Sequence, residues 1–104
     1  MGTCRAADSA ESVTAELVGN AVVAHQREQR DAPVKLTLLA GLRTILIIVR
    51  DTSSAPPVLA APGTEAEHGR GLILVEAFSA SWDWKPVPGG GKVVRALVRG
   101  ERHE

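Results

Sequence analysis

The hydrophobic positions along the 104-residue chain change their period several times, and each change predicts an element. From Ser9 to Gln26, apolar residues recur every three or four positions, which predicts a helix, and Asp8 or Ser9 can cap its start. Alternating or continuously apolar runs predict four strands and a second helix. The strands are 34–39, 44–50, 81–86 and 93–98, and the helix is 72–80. This order favours an α+β fold, a two-layer α/β sandwich with helices on one face of a mixed, mostly antiparallel sheet.

The connections between these elements differ greatly in length. A short turn with one glycine, residues 40–43, joins the first two strands into a hairpin, and 88–92 joins the last two. The strand 44–50 is apolar on both faces, which is typical of a central strand. By contrast, about 18 residues after Asp51 carry no periodic pattern, far more than the usual 4 to 6, and this is typical of a lid or a binding loop.

Composition excludes several classes of function. Twelve basic and twelve acidic residues balance, which gives no reason to expect a nucleic-acid or membrane partner. The single cysteine, Cys4, cannot form an internal disulfide. There is no signal-peptide layout and no apolar run of roughly 18 to 20 residues, so we expect a cytoplasmic protein. Three histidines show no metal-ligand spacing and are predicted to lie on the surface: His25, His68 and His103.

Polar chemistry enters on the first predicted helix. Glu16 and Asn20 lie one turn apart, at the border of the apolar stripe formed by Val13, Leu17 and Ala21. A carboxylate and a carboxamide at that border can point into a cavity above the sheet. Taken alone, such a pair is more often a solvated surface pair.

Four motifs in a fixed order give this pair a context. They are Glu16-Leu-Val-Gly-Asn20-Ala, Val49-Arg-Asp51, Gly69-Arg-Gly71-Leu-Ile-Leu-Val, and Trp82-Asp-Trp84 followed by Pro88-Gly-Gly-Gly-Lys92. In this order they resemble the Bergerat-fold (GHKL) ATP-binding domains of gyrase and the histidine kinases. The closest resemblance is to anti-sigma-factor serine/threonine kinases and small actinobacterial ATP-binding regulatory proteins. On this basis residues 9–99 form the ATPase domain, 1–8 a flexible N-terminus and 100–104 a charged tail.

The resemblance implies a role for each motif. It implies ATP and magnesium as cofactors, with Asn20 as nucleotide and metal ligand, Glu16 as catalytic base and Asp51 as acceptor for the adenine amino group. The segment Gly69, Arg70, Gly71 and Leu72 is expected to hold the phosphates, and residues 54–68 to form a lid. The implied activity is phosphorylation of an anti-sigma antagonist by a kinase that binds a sigma factor.

Departures from the family leave other readings open. Thr52 and Ser53 follow Asp51 where glycines are expected, and Val93 stands where many relatives carry threonine. The alternative is therefore a non-catalytic nucleotide- or partner-binding module with a degenerate site, and a histidine-kinase fragment ranks last. Taken without the family, Asp51 reads as a turn cap and Arg70 as a solvated arginine.

Only about seven residues precede the first helix, whereas relatives carry a further strand and helix there. Two helices then cover the sheet incompletely, so we predict a homodimer or a hetero-complex.

Overall fold

The computed structural model describes residues 5–57 and 71–100, which form two helices and four strands. The elements are α1 (Arg5–Arg27), β1 (Lys35–Ala40), β2 (Thr44–Asp51), α2 (Gly71–Phe78), β3 (Ser81–Pro86) and β4 (Lys92–Arg99). Each strand lies within one residue of its predicted bounds. The first helix, however, begins at Arg5, so the predicted start at Ser9 and the cap there are wrong. Asp8 lies in the first turn, where a carboxylate interacts favourably with the helix dipole.

The strands form one sheet in the order β1-β2-β4-β3, and all three neighbouring pairs are antiparallel. Both helices pack on one side, which confirms the α+β prediction. β2 is central, as its apolar character indicated, because it lies between β1 and β4. The register of β2 against β4 places Asp51 opposite Lys92, so the end of one central strand meets the start of the other.

The core lies between α1 and the two central strands. The stripe predicted on α1 is confirmed, since Val13, Leu17 and Ala21 are all buried. Trp82 and Trp84 lie on one face of β3, are half-buried and pack against this core. The buried apolar residues are Ala10, Val13, Leu17, Ala21, Ile47, Val49, Val75, Val94, Ala96 and Val98.

The edge strand β1 keeps apolar side chains exposed on the helix side of the sheet. Leu36 and Leu38 pair with Val49 and Ile47, which are buried, so all four point to the same face. Yet Leu36 is 42% and Leu38 53% exposed, because α1 packs over β2 and β4. Within residues 5–57 and 71–100 the helices therefore leave this part of the sheet open.

The glycine-rich turn between β3 and β4 packs against the end of β2. Gly89, Gly90 and Gly91 all have positive φ, and Val87 and Gly91 are joined by a backbone hydrogen bond of 2.9 Å, so the predicted hairpin turn is confirmed. A Cβ on Gly91 would lie 2.3 Å from the carbonyl oxygen of Asp51. Glycine is thus required at 91 by the contact as well as by φ.

Candidate functional site

The centre of the candidate site is a buried ion pair at the junction of β2 and β4. Asp51 is 2% exposed and Lys92 is 5% exposed. The Lys92 ammonium donates to Asp51 Oδ1 at 3.1 Å and lies 3.0 Å from Oδ2. Antiparallel pairing explains the contact, because both residues continue the inward alternation of their strands and face each other across the ladder.

The hydrogen bonds of Asp51 determine what else its carboxylate can bind. The backbone N–H of Ser53 donates to Oδ1 at 2.9 Å, in addition to the Lys92 ammonium. A carboxylate offers about four lone-pair positions. Lys92 and Ser53 together use both positions on Oδ1 and one on Oδ2. One acceptor position on Oδ2 is then without a partner among the residues that the structure describes.

His25 holds the residue that follows Asp51. Its Nε2 accepts the backbone N–H of Thr52 at 3.0 Å and lies 3.2 Å from the Thr52 hydroxyl. Because Nε2 accepts, the ring hydrogen is assigned to Nδ1, which donates to the Ala32 carbonyl at 3.0 Å. His25 is 5% exposed, so the prediction that it lies on the surface is wrong. The signal was present, because position 25 continues the spacing of Leu17 and Ala21.

Ser53 is also held by the end of α1. Its side chain is fully buried, and its hydroxyl donates to Glu28 directly after the helix. Glu28 accepts a second bond from Arg30 Nε at 2.6 Å. Both hydrogen bonds lower the pKa of the Glu28 carboxyl, and the bond from Ser53 has the larger effect. Thr52 and Ser53 stand where glycines are expected, and both of their hydroxyls have partners. The Thr52 hydroxyl contacts His25 near the end of α1, and the Ser53 hydroxyl bonds to Glu28, which follows the helix.

The predicted pair on α1 lies on the same side of the sheet as Asp51. Glu16 and Asn20 are half-buried, one turn apart, beside the buried Leu17 and Ala21. α1 packs against α2 and against β2, the strand that ends at Asp51. Within the described part of the chain, neither polar side chain has a hydrogen-bond partner.

The predicted phosphate segment is only partly described. Gly71 is the first residue of α2, which places the start of that helix, and its positive dipole end, within one residue of the prediction. Gly69 and Arg70 lie outside the described residues, as does the side chain of Leu72. The same holds for most of the predicted lid.

The side chains near the site suit a metal ion that takes most of its coordinating oxygens from a bound molecule and from water rather than from the protein. No group of three or more His, Cys, Asp or Glu residues that could hold a metal is found among residues 5–57 and 71–100. Magnesium commonly takes one or two protein oxygens and completes its octahedron with phosphates and waters. A half-buried carboxamide at Asn20 fits this mode of binding. In the same described residues, no helix is long and apolar enough to cross a membrane.

The fold and these residues define a GHKL-type domain: helices on one face of an antiparallel sheet, a buried carboxylate at the end of a central strand, and an amide on the facing helix. Comparison with protein families agrees. The family model of the histidine kinase-like ATPase domain matches residues 3–97, and the chain belongs to this family. Neither the curated proteins nor the solved structures gave a match.

Proposed function

We propose that this protein is an ATP-binding regulator that acts as a serine/threonine kinase of the anti-sigma type. The observation that carries the proposal is the buried Asp51 carboxylate, which keeps one acceptor position on Oδ2 after its bonds to Lys92 and Ser53. An adenine amino group supplies the single N–H that this position takes. Membership of the histidine kinase-like ATPase family supports the same ligand.

The roles of the other residues follow from their chemistry. Asn20 offers a neutral oxygen to magnesium, and the segment Gly69, Arg70, Gly71 and Leu72 holds the phosphates at the start of α2. Bound magnesium neutralises phosphate charge. Glu16 lies about 6 Å before Asn20 along the helix axis, at 1.5 Å per residue. Its carboxylate accepts the proton of a serine or threonine hydroxyl of the protein substrate.

A second candidate function is a non-catalytic module that binds a nucleotide or a partner. It is favoured by the Asp51–Lys92 ion pair, which leaves the carboxylate fewer open positions than an unpaired aspartate has. Thr52 and Ser53 in place of glycines favour it as well. In this case the ion pair serves mainly to hold the two central strands together.

ATP titration by calorimetry, with and without magnesium, tests the nucleotide site. Wild type should bind ATP with an affinity that rises with magnesium, and Asn20→Ala should lose most of that rise. Gln26→Ala is the matched control, because it removes an exposed amide from the same helix. Wild type that binds no ATP at millimolar concentration contradicts an ATP site.

Formation of ADP from ATP, measured with an anti-sigma antagonist as phosphoryl acceptor, separates the kinase from the non-catalytic module. Glu16→Gln keeps the size of the side chain and removes the base, so it should bind ATP like wild type and lose turnover. Equal turnover in the two proteins would contradict the role of Glu16. Wild type that binds ATP but does not turn it over favours the second candidate.

The partners proposed are an anti-sigma antagonist and a sigma factor in the cytoplasm, with a homodimer or a hetero-complex as the assembled form. The exposed Leu36, Leu38 and Leu42 support assembly, because apolar patches of this kind often mark interfaces. Size-exclusion chromatography with light scattering measures the assembly. A stable monomer that binds no hydrophobic dye contradicts it.

A further inference from the structure

Three consecutive residues at the end of β2 are each held by a different part of the chain. Asp51 is bound by Lys92 of β4, the Thr52 backbone by His25 of α1, and the Ser53 hydroxyl by Glu28 after that helix. Asp51, Ser53, His25 and Lys92 are all buried. The arrangement fixes the backbone and the side chains of the segment that carries the proposed adenine acceptor.

We propose that His25 is a positioning residue for nucleotide binding: it orients the Thr52 backbone so that a segment without glycine still leaves one acceptor position of Asp51 for the base. The inference rests on the proposed ATP site and adds to it the residue that makes Thr52 and Ser53 compatible with a bound base. His25 acts through Thr52 and does not itself touch the nucleotide.

The geometry at Thr52 carries the argument. One ring nitrogen, Nε2, receives both the backbone N–H at 3.0 Å and the approach of the hydroxyl at 3.2 Å. The Thr52 side chain is therefore directed to α1 while its neighbour Asp51 is directed to Lys92. Without this acceptor, the N–H of Thr52 loses its partner and the threonine can rotate toward the carboxylate. A glycine at this position would have no side chain to misplace.

The other nitrogen of His25 orients the ring and provides a matched pair of variants. Nδ1 donates to Ala32, which follows α1 in the chain. A glutamine amide oxygen reaches close to the position of Nε2, so His25→Gln retains an acceptor for the Thr52 N–H. An asparagine amide reaches only the position of Nδ1, so His25→Asn retains the bond to Ala32 and loses the bond to Thr52.

ATP affinity, measured by calorimetry with magnesium, distinguishes positioning from packing. Both variants remove a buried ring, so both should melt at a lower temperature than wild type. His25→Gln should nevertheless bind ATP within about twofold of wild type, whereas His25→Asn should bind about tenfold more weakly, as expected for one lost hydrogen bond. Amide exchange provides a direct readout, because the Thr52 N–H should stay protected only in wild type and the glutamine variant.

A second background separates this inference from a general loss of structure. In Thr52→Gly, His25→Asn should no longer weaken ATP binding, since no side chain remains to be misplaced. Equal ATP affinity in the two histidine variants, or the same tenfold loss in the glycine background, overturns the positioning role. Wild type that binds no ATP overturns the proposed function, and with it any role of His25 in nucleotide binding. The two failures are therefore distinguishable.

Discussion

Replacing Lys92 by methionine should be among the most destabilising single changes in the protein. The substitution keeps the length of the apolar stem and removes an ammonium that lies 3.0 Å from Asp51 Oδ2 and 3.1 Å from Oδ1. Because Asp51 is 2% exposed, removing the ammonium leaves a buried, poorly solvated carboxylate with the Ser53 N–H as its hydrogen-bond donor. Removing one member of a buried ion pair typically costs about 3–5 kcal/mol, a large part of the stability of a small domain.

Urea unfolding, followed by circular dichroism, measures the loss. Lys85→Met is the control, because Lys85 is an exposed lysine on the neighbouring strand, and its loss should stay within about 0.5 kcal/mol. Asp51→Asn combined with Lys92→Met removes both charges and should recover most of the stability lost by the single methionine variant. A loss below about 1 kcal/mol for Lys92→Met would show that the ion pair contributes no more than a solvent-exposed one.

Three further results are expected. Gly91→Ala should unfold at clearly lower urea than Gly89→Ala, because both have positive φ but only a Cβ at 91 would meet the Asp51 carbonyl; equal midpoints would contradict the contact. The exposed Arg95 side chain donates to Asp83 and lowers the pKa of that carboxyl, so the ion pair stabilises the fold at neutral pH and stops doing so as pH falls through the lowered pKa. Asp83→Asn should therefore cost under about 1 kcal/mol of unfolding free energy at pH 7 and nothing in strong acid. A cost that is independent of pH contradicts the pairing. Val13→Ala, at a fully buried position, should cost about 2 kcal/mol in urea unfolding, and a neutral effect would contradict the core position.

Much of the fold could be predicted because its signals are local. The three-to-four spacing of Val13, Leu17 and Ala21 defines the buried face of α1 without reference to any other element. The apolar strand at 44–50 could be recognised as central in the same way. The start of α1 could not, because the residues from 5 to 8 add another turn to a helix that already had acceptable caps at Asp8 and Ser9.

Less of the candidate site could be predicted from the sequence, because its contacts join distant parts of the chain. The sequence places Lys92 at the end of a turn, and nothing near it in sequence indicates a carboxylate partner 41 residues earlier. His25 and Thr52 are 27 residues apart, and their contact depends on how α1 lies over the sheet. The family resemblance indicates Asp51 and includes Lys92 in its last motif, but it does not predict that Lys92 and the Ser53 N–H bind the carboxylate.

The polar cluster nevertheless follows a rule that the sequence contains. His25 continues the spacing of the buried stripe on α1, Asp51 continues the inward alternation of Ile47 and Val49, and Lys92 that of Val94 and Ala96. Each of these polar residues lies one period beyond the buried apolar residues of its element. It therefore faces the same side as they do and lies at the edge of the core. There it is buried and requires a partner, because an isolated polar group is costly in that position. A polar residue that continues the spacing of buried apolar residues is therefore a stronger candidate for a functional site than its chemistry alone would indicate. For residues on strands, such as Asp51 and Lys92, the register of the sheet then determines which partner each one meets.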